Sequence, residues 1–355
     1  MLFGPARFSH LLLFAGLAVA SRVADSALRC RELNFHIAAS GLNVDISNYT
    51  LDTLLTTPLS AVFSDPTALN FQYPVNGTFD VAARYCEPRQ HDHIYEKHPH
   101  SDTLQFLVHG ATYTRDYWSG LVPPGDPRDA NNSWVNYASE KGYPTLTVDR
   151  LGNGKSSHPD PQLILQASIQ AEIIHRIIQQ VRLAASPLRR SFSKVIYVGH
   201  SYGSIIGDLV TSRHPTSINA LLSAPIIRAV FYSPQNPLTY HPTLFNFDVD
   251  TRGTFSIGEI ITALFSIVPA PMFQGEALVV TGKYDAIFCA PGAGSQVSDC
   301  GNATAGPVAE TRALFPAAKS FEAVVLEDAG HCWQNHHVAR EGFEAVHAWL
   351  ERVGY

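Results

Sequence analysis

Three residue types that together make a hydroxyl reactive occur in the second half of the chain, each directly after an apolar run. Ser201 lies within "GHSYG" (199–203), which follows the run "VIYV". Asp285 follows "VVTGKY", and His331 ends "FEAVVLEDAGH". A serine hydroxyl attacks a carbonyl carbon only when a base removes its proton, and that base is usually a histidine oriented by a carboxylate. The pattern therefore predicts nucleophilic catalysis, with Ser201 as nucleophile, His331 as base and Asp285 as the residue that orients the base.

The carboxylate and the base both have alternatives elsewhere in the sequence. Asp328 lies too close to His331 along the chain to face it comfortably. Asp248 and Asp250 lie in a segment where a carboxylate is expected to be solvated. The other downstream histidines fall on or near the last predicted helix: His336, His337 and His347. Asp285 and His331 are preferred because each follows a predicted strand.

The segment around Ser201 matches G-x-S-x-G, the pattern of a strained turn between a strand and a helix that exposes a serine oxygen. Its glycines suit so tight a turn because a Cβ atom would clash there. A bare G-x-S-x-G is weak in a chain with 24 glycines. Here an apolar run precedes it and "SIIGDLV", predicted to be helical, follows it. That setting makes the match specific.

Six apolar runs are predicted to be strands, and helical segments alternate with them. The predicted strands are 103–110, 143–149, 194–201, 220–225, 277–285 and 321–331. Residues 162–183 and 338–352 carry apolar side chains at helical spacing. Strands that are apolar on both faces and alternate with helices indicate an α/β fold, with a mostly parallel sheet flanked by helices.

Residues 226–275 interrupt this alternation and are predicted to form a small cap, with a short helix at 257–268, over the edge where such sheets place ligands. Its aromatic side chains either line an apolar pocket or pack the cap onto the sheet: Phe231, Tyr232, Tyr240, Phe245, Phe247 and Phe255.

The order Ser, Asp, His in these settings resembles the α/β-hydrolase superfamily, of the AB hydrolase-1 type, over residues 100–355. "HGATYTRDYW" (109–118) is similar to the family's His-Gly oxyanion loop, and "DRLGNGKSS" (149–157) to a segment that shapes the floor of the site. The resemblance implies an oxyanion hole made by the amides of Ala111 and Tyr202. It implies neither a metal nor an organic cofactor. Small secreted members of this kind are familiar among fungi.

The first residues are typical of a signal peptide. Arg7 and His10 precede the apolar stretch Leu11–Ala20, which is shorter than the ~20 residues of a membrane span. We therefore expect residues 1–20 to be removed, with no stable membrane insertion afterwards. The alternative is an uncleaved anchor, since the basic segment before the apolar stretch is weak. Residues 21–100 are predicted to supply strands and a loop at one edge of the sheet, and 101–355 the hydrolase domain.

The cysteines and glycosylation motifs agree with a secreted, oxidised protein. We expect Cys289 to pair with Cys300 across a short loop and Cys30 with Cys86, which leaves Cys332 unpaired, although sequence alone does not exclude other pairings. Four Asn-x-Ser/Thr acceptors are expected at the surface: Asn48, Asn76, Asn131 and Asn302.

The formal charge of −6 argues against nucleic acid as a partner, and a small molecule is expected instead. His91, His93, His98 and His100 are interpreted as residues of a solvated loop rather than metal ligands, because no predicted helix or strand sets their directions.

The leading hypothesis is a secreted, extracellular serine hydrolase that cleaves a carboxylic ester, lactone or thioester, with an apolar or aromatic substrate. One alternative is a biosynthetic acyltransferase or cyclase on the same fold, which would exclude water from the acyl-enzyme. Another is a non-catalytic binding protein, since this fold hosts many functions.

Overall fold

The computed structural model describes residues 28–49, 72–88, 100–121, 129–223, 232, 237–289 and 298–355. The predicted signal peptide lies outside the described residues, as do His91, His93, His98 and Phe231. No helix in the described ranges has both the length and the apolar character needed to cross a membrane.

The described strands form one eight-stranded sheet in the order β1-β2-β4-β3-β5-β6-β7-β8. Their bounds are β1 Arg29–Asn43, β2 Tyr73–Glu87, β3 Thr103–Val108, β4 Thr145–Val148, β5 Lys194–Gly199, β6 Ala220–Ser223, β7 Glu276–Gly282 and β8 Ser320–Leu326. Neighbouring strands from β4 to β8 run parallel, whereas β2 is antiparallel to both β1 and β4. The predicted α/β class with a mostly parallel sheet is confirmed.

Eight α-helices accompany the sheet in the described part of the chain. They are α1 Asp129–Asn132, α2 Trp134–Glu140, α3 Ala167–Val181, α4 Tyr202–Arg213, α5 Pro242–Asp250, α6 Ile257–Ala263, α7 Pro307–Glu310 and α8 Ala339–Arg352. Helix α3 begins five residues later than the start of the predicted helix, because Gln162 and Gln166 bond to the segment after β1 instead.

Side chains alternate across β3, so that neighbouring residues face opposite helical layers. On one face Gln105 accepts a hydrogen bond from Trp134 Nε1 of α2 at 2.8 Å and contacts His347 of α8. On the other face Phe106 packs edge-on against Tyr197, at 6.0 Å between ring centroids. Gly207 of α4 lies against the Tyr197 ring, so α4 covers this second face. Helices thus flank the sheet on both sides.

The N-terminal region supplies two strands of 15 residues each. β1 and β2 pair residue for residue over 15 residues, and β2 joins the sheet through β4. The disulfide Cys30–Cys86 joins residues directly opposite each other. Pairing between β1 and β2 over their whole length stabilises these long strands. The local alternation of apolar and polar residues does not reveal such pairing.

Asp208 is a buried carboxyl group in α4 whose Oδ1 has no hydrogen-bond partner among the described residues. Burial raises the pKa of Asp208 to about 8. Because the pKa is higher in the folded than in the unfolded chain, folding stability is expected to fall as pH rises from about 4 to about 8. Asp208→Asn should be near neutral at pH 4 and stabilise the fold by about 4 kcal/mol at pH 7. Thermal unfolding at both pH values checks this, and equal effects at the two would contradict it.

Candidate active site

The predicted catalytic residues lie in loops at the carboxyl edge of the parallel sheet. Ser201 follows β5, Asp285 follows β7 and His331 follows β8, while the His109-Gly110 turn follows β3. Parallel strands end at the same edge, so residues separated by more than a hundred positions meet there. All three predicted catalytic residues have no solvent-exposed surface.

Ser201 is held in the conformation expected of a nucleophile elbow. Its φ of 65° and ψ of −128° lie outside the regions that non-glycine residues prefer. Such strain persists only where the surroundings enforce it. Here α4 starts at the next residue, and a Cβ atom on Gly203 would lie 2.2 Å from the carbonyl oxygen of Val108. Glycine at 203 therefore lets the turn pack directly on β3.

His331 and Asp285 form a buried pair. His331 Nδ1 lies 3.0 Å from Asp285 Oδ2, which also accepts a hydrogen bond from Thr281 at 2.7 Å. The other carboxylate oxygen accepts hydrogen bonds from the amides of Ile287 and Phe288. This network fixes the carboxylate and directs Nδ1–H toward it, which leaves Nε2 as the nitrogen that can take up a proton.

Electrostatics keep this pair as an ionised carboxylate and a neutral imidazole. Burial lowers the pKa of His331, and the nearby charge of Asp285 opposes this only in part. Burial also raises the pKa of Asp285, but the charge of His331 and the hydrogen bonds to the carboxylate bring it below its ordinary value. A neutral imidazole next to an ionised carboxylate is the state in which a histidine acts as a general base.

The loops that carry Asp285 and His331 are bonded to each other through their backbones. The amide of Lys283 donates to the carbonyl of Leu326 at 2.8 Å, and the amide of Tyr284 donates to that of Ala329 at 3.0 Å. These bonds continue the parallel pairing of β7 and β8 beyond the sheet. The separation between acid and base is therefore set by the backbone.

The turn after β3 lies against Ser201, the predicted nucleophile. A Cβ atom on Gly110 would lie 2.3 Å from Ser201 Oγ, so only glycine fits there. The Gly110 carbonyl accepts hydrogen bonds from Arg150 Nη2 at 3.0 Å and His109 Nδ1 at 2.8 Å. In a trans peptide the N–H of the next residue points away from this carbonyl. The amide of Ala111 is thereby turned away from Arg150.

Arg150, in the segment predicted to shape the floor of the site, holds this turn in place. Its Nε donates to the carbonyl of His109 at 2.9 Å, and its Nη1 is paired with the buried carboxylate of Glu259 in α6. One guanidinium thus joins the oxyanion loop to α6. The second predicted donor, the amide of Tyr202, is the first of α4, where an amide has no partner within the helix.

Asp248 is not solvated, contrary to the expectation from sequence. It is fully buried, and its Oδ2 accepts hydrogen bonds from Tyr113 and Tyr232, each at 3.0 Å. Its carboxylate faces these phenols, whereas Asp285 faces His331. Asp250 is exposed, as expected. Asp248 was misjudged because it lies on α5, a helix that the sequence analysis did not predict.

Two more buried side chains, which sequence reasoning did not select, adjoin the candidate triad. Cys332 Sγ lies 3.5 Å from His200 Nε2 and 3.3 Å from the Tyr113 hydroxyl. The ring of His200 lies 5.3 Å from that of His331 and stacks on Tyr117 at 4.3 Å. The sequence signal that could have identified them is that each directly neighbours a predicted catalytic residue, Ser201 or His331.

The described cap aromatics pack mainly against one another. Tyr232 contacts Tyr240 and Phe245, at 4.5 and 5.0 Å between ring centroids, and Phe255 packs on Tyr202. These contacts match the packing interpretation of the cap. A cavity of 310 Å³ lies beside α1, α5 and the start of α8, and its lining includes neither Ser201 nor these aromatic residues.

The cysteines and glycosylation acceptors have the positions expected of an exported protein. The structure contains the disulfide Cys289–Cys300 as well as Cys30–Cys86, and Cys332 is buried outside any disulfide. The four acceptor asparagines are all exposed: Asn48, Asn76, Asn131 and Asn302.

The chain is similar to a known protein family and, more distantly, to solved structures. A model of the alpha/beta hydrolase family matches residues 105–341. An esterase from Exiguobacterium antarcticum is 16% identical and aligns with 77% of this chain and 96% of its own, with a TM-score of 0.49. A thermophilic esterase from Thermogutta terrifontis is 15% identical, with 79% and 96% covered and a TM-score of 0.48. No curated protein matches the sequence. Because the family model spans most of the sequence, including Ser201, Asp285 and His331, the chain belongs to the alpha/beta hydrolase family.

Proposed function

We propose that this protein is a serine hydrolase that cleaves a carboxylic ester, lactone or thioester through an acyl-enzyme on Ser201. The observation that carries the proposal is the buried His331–Asp285 hydrogen bond of 3.0 Å, at the same sheet edge as a serine in the elbow conformation. A protein that only bound ligands would have no need of a strained serine beside an oriented, neutral imidazole.

The proposed reaction proceeds in two halves. His331 Nε2 takes the hydroxyl proton of Ser201 as Oγ attacks the carbonyl carbon, and Asp285 stabilises the imidazolium that forms. The imidazolium then returns the proton to the leaving oxygen or sulfur, which departs and leaves an ester on Ser201. Water attacks this ester, with His331 again as base, and the acid is released.

The negative oxygen of each tetrahedral intermediate is assigned to the amides of Ala111 and Tyr202. Arg150 supports this role because it binds the carbonyl of Gly110, and the Ala111 amide on the same peptide group points the other way. Each such donor is typically worth about 10²–10³ in rate. Since Ser201 has no exposed surface, a substrate reaches it only after covering residues move.

The experiment that tests this function is a substrate panel with an active-site label. The purified protein is incubated with nitrophenyl esters, lactones, thioesters and peptides, and separately with a fluorophosphonate probe followed by peptide mass spectrometry. We expect turnover of at least one ester class and a single modified peptide containing Ser201. Absence of turnover together with absence of labelling would contradict the proposal.

We also propose that the protein is exported, loses residues 1–20 and carries glycans. The two disulfides support export, since disulfides persist in oxidising compartments, and the exposure of all four acceptor asparagines leaves room for glycans. Mass spectrometry of material released by the native cells should show an N-terminus near Ser21. A full-length, reduced chain recovered from the cytosol would contradict export.

A further inference from the structure

Three side chains beside the nucleophile form a buried cluster of metal-ligand types. The ligand atoms of His200, His331 and Cys332 all lie within 4.8 Å of one another, and none of the three residues is more than 2% exposed. The proposed hydrolysis uses only His331. The other two give the site a thiol and a second imidazole that the reaction does not need.

The separation of two of the three ligand atoms fits adjacent ligands of a tetrahedral cation. With Zn–S of about 2.3 Å and Zn–N of about 2.0–2.1 Å, a tetrahedral site places sulfur and nitrogen about 3.5 Å apart. Cys332 Sγ and His200 Nε2 are separated by 3.5 Å. Three protein ligands with a fourth position left for water are the arrangement of an open zinc site.

The surroundings supply the outer contacts that such a site needs. A histidine bound to a metal through one nitrogen usually donates its other N–H to a carboxylate, as His331 Nδ1 does to Asp285. The Tyr113 hydroxyl lies 3.3 Å from Cys332 Sγ and bonds to Asp248. A divalent cation with one thiolate carries a net charge of +1, and the nearby carboxylate of Asp285 offsets it.

We propose that His200, His331 and Cys332 form an inhibitory binding site for a soft divalent cation such as Zn²⁺. Binding exchanges the thiol proton of Cys332 for a metal–sulfur bond and releases that proton to solvent. The cation also occupies His331 Nε2, which can then no longer accept the proton of Ser201. Because none of the three residues is more than 2% exposed, the cation, like a substrate, enters only when covering residues move. Only the inhibition rests on the proposed function; cation binding does not.

The test combines Co²⁺, whose bonds to thiolate absorb in the near ultraviolet, with Zn²⁺. We expect a thiolate-to-cobalt absorption band on titration of the wild-type protein, removed by added Zn²⁺. Zn²⁺ should also raise the melting temperature and block fluorophosphonate labelling, and a chelator should restore labelling. Loss of one ligand, in Cys332→Ser or His200→Gln, should weaken binding by more than about 100-fold, since even outer contacts contribute about 10–100-fold.

The control concerns a second histidine pair. His175 and His214 are partly buried and stack at 3.6 Å near Glu172, away from Ser201, and His214→Gln should leave the cobalt band unchanged. Circular dichroism shows whether each variant is folded. The proposal is overturned if the wild-type protein gives no thiolate–cobalt band, if folded Cys332→Ser binds as tightly as wild type, or if His214→Gln abolishes the band. Cobalt binding without ester turnover would contradict the proposed function and leave the site standing.

Discussion

Ser201→Ala is expected to lower kcat for the best ester substrate by about 10⁶-fold, with little change in KM. The alanine removes the only atom that forms the acyl-enzyme, while the sheet edge, the His331–Asp285 pair and the two assigned oxyanion amides stay in place. A residual rate about 10³–10⁴ above the uncatalysed reaction should survive, because those amides and substrate binding do not depend on Oγ. Steady-state kinetics and loss of fluorophosphonate labelling measure the effect.

The matched control is Ser212→Ala, the same substitution in α4. Ser212 Oγ bonds only to the carbonyl of Pro269 at 3.1 Å among the described residues, well away from the elbow. This variant should keep wild-type turnover and labelling. If Ser201→Ala keeps more than a few per cent of wild-type kcat while folded, Ser201 is not the nucleophile.

Asp285→Asn is expected to lower kcat by about 10⁴-fold without unfolding the protein. Asp285 Oδ2 accepts hydrogen bonds from both His331 Nδ1 and Thr281. An amide NH₂ group placed there would favour the tautomer of His331 that carries its proton on Nε2. In that tautomer Nε2 can no longer accept the proton of Ser201. The measurement is kcat by initial rates, with circular dichroism to establish folding.

Two further aspartate variants make this prediction specific. Asp250→Asn changes an exposed carboxylate and should leave kcat within a small factor. Asp248→Asn replaces the charged acceptor of the Tyr113 and Tyr232 hydroxyls with a neutral amide, so it should cost about 1–3 kcal/mol of stability, with any change in activity appearing mainly in KM. A fully active Asp285→Asn together with an inactive, folded Asp248→Asn would show that the acid is misassigned.

The elements that position the site could largely be predicted from sequence, because their signals are local. A run that is apolar on both faces indicates a buried strand wherever it occurs. β5, β7 and β8 begin within one residue of their predicted starts and end two to five residues before their predicted ends. The turn around Ser201 could also be predicted from sequence, because the glycines of "GHSYG" indicate a backbone turn too tight for residues with a Cβ atom. The order of Ser201, Asp285 and His331 then indicated the family.

Contacts between distant segments were not accessible in the same way. Sequence pattern could not show that Asp248 is buried against Tyr113, because that burial depends on α5 packing onto the turn after β3, 135 residues away. Nor could it show that β1 and β2 pair over 15 residues.

The sequence by itself therefore determined the α/β fold, the strand–turn–helix around Ser201 and the order of the candidate triad. Tertiary structure decided which aspartate bonds to His331, that Arg150 holds the turn after β3, and that Cys332 lies beside His200 across 132 residues. The physical reason is the distance along the chain over which each signal acts. Propensity and periodicity act over a few residues, whereas a hydrogen bond between two loops exists only after the sheet has placed their strands side by side.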